Sequence, residues 1–414
     1  VQSLATEVYN LNTVGETISY WDGTTVQNDI ATLGLYPNDL VIMGDTLIVV
    51  NSGTASLQFL HRTTFASLGN IALDVNSNPY SMTLTPDSRL LVTHWNSDVF
   101  SVVNPRTLSI ETSIPTGASP QSILYHAGNI YVTAVDFDAN TYAYGQGYVY
   151  VYDGITYAEK AVIGVATNPQ KIMLASDGTL HVLCTGDYWS VFGQIVRIDP
   201  VSHTTLDILE IGGSPGDMAE DSEGTVFLAA GGWSAPDSGM IFSYSVSSME
   251  LLHGSSNPIY MGSGITNVAT QPGQSGAWVS SFGTDQLISI DHSGEIRSSI
   301  TVGDGPGRLV FGPSATSSTP GTKQVPEVFQ VSSNFPNPFN PSTGIPFQLH
   351  QADQVKLAIF DVQGHLIDTR VNQILSPGSY TITWDGTNTA GQTQPSGIYL
   401  AVLSSGLERS VIKM

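Results

Sequence analysis

Two groups of residues in this sequence have types and spacings suited to chemistry. The first is Asp136-Phe137-Asp138-Ala139-Asn140. Asp136, Asp138 and Asn140 carry oxygen ligands at alternate positions, the way many calcium loops begin. The pattern then departs: Thr141 stands where a glycine is expected and Gly147 where a bidentate Glu is expected. Calcium is the one cofactor these residues suggest, and an ordinary polar loop is the alternative. The second group is aromatic. Phe137, Tyr142, Tyr144, Tyr188, Trp189, Phe192 and Trp233 fall in three long polar stretches, Asp136 to Gly147, Asp187 to Gly193 and Gly231 to Gly239. Trp95 and Phe282 fall in shorter stretches of the same kind. Rings on loops suit recognition of a sugar or a protein. The alternative is that they fold over one another as a small core.

Catalytic signatures are sparse. There is no Gly-x-Ser-x-Gly elbow, His-Glu-x-x-His, Cys-x-x-Cys or phosphate-binding loop. His94 and His181 lie on or beside apolar runs, where a lone histidine is usually structural. Cys184, the single cysteine, lies within such a run and reads as a small buried residue. It has no partner for an internal disulfide.

The elements that must position these residues are short strands. Residues 119–153 show the unit: Ser122-Ile123-Leu124, a turn at His126-Ala127-Gly128-Asn129, Ile130-Tyr131-Val132-Thr133, a polar loop, and Tyr148-Val149-Tyr150-Val151-Tyr152-Asp153. Short β-branched and aromatic runs broken by Gly, Asn and Asp are antiparallel strands with tight turns. The first strand of each copy follows a proline: Pro37, Pro79, Pro120, Pro169, Pro215 and Pro306, with Gly264-Ile265-Thr266-Asn267-Val268 as a seventh copy that lacks it. A period of about 40–50 residues with four strands per unit predicts a β-propeller. The last copy has only its first strand, near residue 310. Its remaining strands are expected at Glu7–Asn12, Thr17–Asp22 and Asp29–Leu33, closing the ring and removing a bare sheet edge. The turns Gly44-Asp45, Asp177-Gly178 and Asp221-Ser222-Glu223-Gly224 have acidic residues that serve as turn formers.

The Tyr131-Val132-Thr133 string followed by Val149-x-Val151-x-Asp153 resembles the seven-bladed YVTN-type propeller repeats of secreted bacterial surface proteins. The resemblance covers about residues 1–313. It implies the fold and says little about function.

Composition agrees with a turn-rich all-β protein: 41 Gly, 22 Pro and 12% charged residues among 414. The formal net charge is −22, which repels nucleic acid and anionic membranes as partners. No apolar run reaches the length of a membrane span, and no leader segment is visible at residue 1.

Residues 314–328 form a Ser/Thr/Pro/Gly linker. Residues 329–414 then show strand patterns at Ile345–Leu349, Val355–Phe360, Gly378–Trp384, Gly397–Leu403 and Arg409–Lys413. The string Pro336-Asn337-Pro338-Phe339-Asn340-Pro341-Ser342-Thr343, with Ile359-Phe360-Asp361, Trp384-Asp385-Gly386 and Ser396-Gly397-Ile398-Tyr399, resembles the type A C-terminal sorting domain of type IX secretion substrates. It also resembles the related FlgD-like immunoglobulin domain. The resemblance implies an immunoglobulin-like sandwich and passage across an outer membrane. Asn337, Pro338, Phe339, Asn340 and Pro341 would be the sorting motif, and the outer-membrane secretion and attachment machinery the partner. Sorting-family chains run on past a basic residue with several apolar ones, whereas this sequence stops at Lys413-Met414.

The fold expectation is therefore all-β: a seven-bladed propeller (1–313), a linker (314–328) and an immunoglobulin-like domain (329–414). The functional expectation is a non-enzymatic extracellular or cell-surface protein that binds a protein or glycan, with no cofactor beyond calcium. The rivals are a secreted lactonase-like or hydrolase-like enzyme working in the central funnel, and a homo-oligomeric fibre or layer subunit whose final strand pairs in trans.

Overall fold

The computed structural model divides the chain into two compact units, Val1–Ser317 and Ser318–Met414. It describes residues 7–312 except 234 and 236. Beyond these it describes 329–414 except 332–333, 337–338, 340, 350–352, 362–365, 390, 396, 398 and 406–407. The expected linker at 314–328 lies outside the described residues.

In the first unit, seven antiparallel sheets follow one another, six of four strands and one, the fifth, of five; five of them start at the marked prolines, the fifth starts two residues after Pro215, and the sixth at Ile265 has no proline. We number them as blades. Blade 1 runs Pro37–Met43, Thr46–Asn51, Ser56–His61 and Ser67–Ala72. Blades 2, 3 and 4 begin at Pro79–Leu84, Pro120–His126 and Pro169–Leu174, and blades 5 and 6 at Asp217–Glu220 and Ile265–Ala269. Blade 7 begins at Pro306–Phe311 and takes Val8–Asn12, Thr17–Trp21 and Val26–Gln27 from the other end of the unit. Val8 pairs with Phe311 and Tyr9 with Val310. Each innermost strand packs against that of the next blade, and Pro306–Phe311 packs against Pro37–Met43, so the circuit closes. Closure leaves no unpaired edge at the join.

The outermost strand of blade 7 is Val26–Gln27, not 29–33 as the apolar pattern predicts. Asp29 adopts a left-handed backbone with φ 54°, which breaks the strand. Ile30 and Leu33 then return beside the third strand through Ile30 N–H to Ile18 O and Leu33 N–H to Glu16 O. Outer strands such as Ser109–Pro115 and Thr204–Glu210 are exposed along nearly their whole length. They therefore carry little of the burial pattern that marks inner strands.

The core lies between blades. Ile48, Val50, Leu57 and Phe59 of blade 1 pack on Met82, Leu90 and Val92 of blade 2. Tyr9, Leu11 and Ile18 of blade 7 pack on Leu40, Leu47 and Val49 of blade 1. Burying a Leu, Ile or Val side chain contributes about 1.5–3 kcal/mol, and blades stacked face to face bury both sides of every inner strand. Hydroxyls add a second link from one blade to the next. Thr93 Oγ1 donates to Gln121 O at 2.7 Å, Thr185 Oγ1 to Pro215 O at 2.7 Å and Ser280 Oγ to Gly307 O at 2.6 Å. The carbonyls of Gln121 and Gly307 lie on innermost strands and that of Pro215 just before one, and each is satisfied from the neighbouring blade.

The acidic turns close themselves. Asp177 Oδ1 accepts from Thr179 N–H at 2.9 Å beside Gly178, whose φ of 83° suits a glycine.

The second unit is an immunoglobulin-like sandwich. One sheet holds Phe329–Val331, Thr343–Leu349 and Gly378–Trp384. The other holds Leu366–Leu375, Asp353–Asp361, Tyr399–Ser405 and Glu408–Lys413. Leu366–Leu375 is absent from the strand pattern read in the sequence, because half of its residues are exposed and only two are buried. Trp384, fully buried, centres the core with Ile345, Leu357, Ile359 and Leu403. Its Nε1–H donates to Thr387 O at 2.9 Å.

Candidate binding face and central channel

The second-to-third-strand loops of the propeller leave on the end where the innermost strands begin. Pairings such as Pro37 with Asn51 and Pro120 with Ala134 fix this. Within the blade 3 loop a small hairpin forms, Phe137–Asp138 paired with Ala143–Tyr144.

Aromatic rings run across this end as a ribbon. Tyr80 lies 6.1 Å from Trp95, Trp95 6.1 Å from Phe137, Phe137 5.0 Å from Tyr144 and Tyr144 6.0 Å from Tyr188, between ring centroids. The ribbon thus spans blades 2, 3 and 4. Tyr142 packs edge-on against Phe137 and is 78% exposed. Trp189 is 88% exposed with no ring contact among the described residues. Trp233 pairs edge-to-face with Phe282 at 5.6 Å and so forms a separate patch over blades 5 and 6. A Cβ on Gly264 would stand 2.3 Å from the Trp233 ring, so the indole lies flat on that glycine's backbone.

Asp138 is occupied by its own turn. Its Oδ1 accepts from Asn140 N–H at 2.8 Å and Thr141 N–H at 3.4 Å, which holds its pKa below the usual carboxylate value. Asp136 lies against Gly145, where a Cβ would meet its Oδ2 at 2.1 Å. Among the described residues no three His, Cys, Asp or Glu side chains gather as a metal-binding group. In the sorting string, Asn337, Pro338 and Asn340 lie outside the described residues. Pro341 is exposed, and Phe339 packs on Trp384 at 5.4 Å.

A central funnel is expected from the sequence, but not the residues that line it. Its lining comes from the second residue after each proline: Asp39, Ser81, Ser122, Lys171, Asp217 and Arg308, with Asn267 at the matching place in blade 6. Register shifts fall at this place in blades 1, 2, 3, 4 and 6. A bulge turns a side chain out of the ladder, here toward the axis. The recurring offset was visible in the sequence, but its residues differ in type and so show no motif.

Lys171 Nζ lies 3.1 Å from Asp217 Oδ1, and Arg308 Nε 3.2 Å from Asp39 Oδ1. Arg308 Nη1 lies 3.9 Å from Asp217 Oδ2. The carboxylates also accept protein N–H groups: Leu40 N–H at 2.9 Å and Met82 N–H at 2.8 Å to Asp39, and Val268 N–H at 3.2 Å to Asp217. The cavity holds about 260 Å³. A neighbouring groove of about 510 Å³ shares Thr13, Asn38 and Tyr80 with it and adds Tyr36, Asn76, Asn78 and Asn96. Tyr80 therefore stands where ribbon, groove and channel meet. Burial pushes its hydroxyl pKa up to about 12, with the nearby Tyr188 hydroxyl adding to the effect, so it keeps its proton. Gln170 Nε2 ties the channel to the ribbon by donating to the Tyr188 hydroxyl at 3.0 Å.

These features define a β-propeller with one aromatic and polar face, joined to an immunoglobulin-like domain. Residues 340–406 match the FlgD Ig-like domain. A comparison with curated proteins finds no match. Among solved structures the chain resembles hydrazine synthase of Kuenenia stuttgartiensis, with 16% identity and a TM-score of 0.53, over 65% of this chain and 87% of that one. It resembles the dihydro-heme d1 dehydrogenase NirN, with 11% identity and a TM-score of 0.51, over 92% of this chain and 76% of that one. It also resembles a protein of unknown function from Desulfotomaculum acetoxidans, with 15% identity and a TM-score of 0.55, over 74% of this chain and 98% of that one. At these identities the likeness concerns the fold.

Proposed function

We propose that this is an extracellular or cell-surface carbohydrate-binding protein, with the propeller as the binding module and the FlgD-like domain as the part that delivers or attaches it. The observation that carries this reading is the ribbon from Tyr80 to Tyr188 beside a groove lined by Asn38, Asn76, Asn78 and Asn96. Flat rings offer faces to pyranose rings, and carboxamides donate to and accept from hydroxyls. A protein partner would instead anchor on the largely exposed Trp189 and the partly exposed Trp233. The enzymatic reading draws on the convergence of Asp39 and Asp217, but each is tied to a cation and to backbone N–H groups.

The experiment is retention of the purified protein on a panel of immobilised polysaccharides, followed by Trp95→Ala and Tyr188→Ala. Each substitution is expected to weaken binding roughly tenfold, about the value of one aromatic stacking contact. Retention on none of the panel, or equal retention of both variants, would overturn the reading. Size measurement of the same preparation addresses the assembling-subunit alternative, which requires species larger than a monomer.

A further inference from the structure

The central channel has a surplus of donors. Its two carboxylates have protein partners on every oxygen: Leu40 N–H and Arg308 on Asp39 Oδ1, Met82 N–H and the Ser81 hydroxyl on Oδ2, Lys171 on Asp217 Oδ1, and Val268 N–H on Oδ2. Its two cations are far from saturated. Lys171 carries three N–H donors and, among the described residues, has one close acceptor, the Asp217 carboxylate. Arg308 lies 3.2 Å from Asp39 and 3.9 Å from Asp217 without an aligned hydrogen bond to either among the described residues, and since its Nε is itself buried, the donors it offers to the cavity are those of its terminal nitrogens. Both side chains are about one-quarter open to the cavity, at 24% and 26%. A guanidinium and an ammonium with free donors in a confined, partly desolvated space favour an anion.

Charge narrows the class of anion. Lys171 and Arg308 against Asp39 and Asp217 sum to zero, so the channel tolerates one negative charge and opposes the two of a phosphate monoester. The protein's net charge of −22 works further against a dianion. Size narrows it again, because about 260 Å³ lies below the range for drug-sized ligands and suits a single small ring.

We propose that the channel is a subsite for the carboxylate of one uronate residue, and that the glycan bound along the aromatic ribbon is therefore acidic. The proposal rests on the carbohydrate-binding reading and assigns its substrate class. A uronate carboxylate would sit between Lys171 and Arg308, with its ring near Tyr80 and the rest of the chain leaving over Trp95 or toward Tyr188. Tyr80, protonated, supplies a further donor at the mouth.

The test is calorimetric titration of the full chain with a galactose tetramer carrying one terminal galacturonate and with the all-galactose tetramer. The uronate should bind at least tenfold tighter at low salt, and that preference should shrink as salt is raised, because charge attraction is screened. The double variant Lys171→Gln with Asp217→Asn keeps the channel neutral and polar. It should lose most of the preference for the uronate over the neutral tetramer. Equal affinity for the two tetramers in the unaltered protein would overturn the acidic subsite and leave the carbohydrate reading standing. A preference that is insensitive to salt would overturn it too, and needs no variant to fold. Failure of both tetramers on a protein that is retained by other polysaccharides also overturns the subsite. Failure on every polysaccharide overturns the reading beneath it.

Discussion

Arg308 Nε lies 3.2 Å from Asp39 Oδ1, joining the innermost strand of blade 7 to that of blade 1 across the closure of the ring. Asp39 is 7% exposed, so its charge depends on that partner and on its backbone donors. Breaking a buried pair costs more than removing it whole, because the remaining charge is left uncompensated. Arg308→Met should destabilise the propeller by about 2–4 kcal/mol in urea unfolding. The double variant Arg308→Met with Asp39→Asn should recover at least half of that loss. Equal instability of single and double variants would show that the pair does not carry the closure.

Removing residues 1–33 takes three of the four strands from blade 7. It uncovers Leu309 and the Trp278 side that packs on Val8 and Trp21. The shortened protein should aggregate or lose its cooperative melting transition, since an open edge and an apolar face are exposed together. A soluble product with an unaltered melting temperature would contradict this.

Thr93 is fully buried. Its hydroxyl donates to Gln121 O at 2.7 Å and accepts from Ser81 N–H at 3.1 Å. Thr93→Val keeps the shape and strands both groups. The expected loss is about 1–3 kcal/mol, with little change at an exposed hydroxyl such as Thr54 replaced by Ala. The two unfolding midpoints, compared side by side, decide whether the link between blades has the stated worth.

His94 and His181 are both buried, and burial lowers each pKa to about 4. His181 stacks on Tyr244 with Nδ1 2.6 Å from its hydroxyl. An unfolded histidine titrates near 6.5, so between about pH 6.5 and 4 the unfolded chain binds more protons. Stability is therefore full above pH 7 and falls as the pH drops through that window. Each histidine should account for about 2 kcal/mol between pH 8 and pH 5. His94→Leu should flatten the dependence of melting temperature on pH. A slope unchanged by that substitution would assign the loss to other groups.

Much of the scaffold was legible in the sequence. Proline-led apolar runs marked the innermost strands, because a chain turning from one blade into the next needs a fixed φ and then an extended segment. Short continuous apolar runs marked the second strands, because stacked blades bury both faces of them. Outer strands such as Thr204–Glu210 gave no such mark, since solvent lies along most of their length. The loop aromatics were also legible as residue types. Their sorting into a ribbon of Trp95, Phe137, Tyr144 and Tyr188 and a separate pair of Trp233 and Phe282 was not. That division depends on which neighbouring loops lean together, which local sequence does not encode. The channel was the least legible part. Lys171 and Asp217 sit in different blades, as do Arg308 and Asp39, and each alone reads as an unremarkable charge at the start of a strand. Stacking of blade 5 on blade 4 brings Lys171 to Asp217, and only ring closure brings Arg308 to Asp39, because contacts around an axis are set by the number and tilt of the blades.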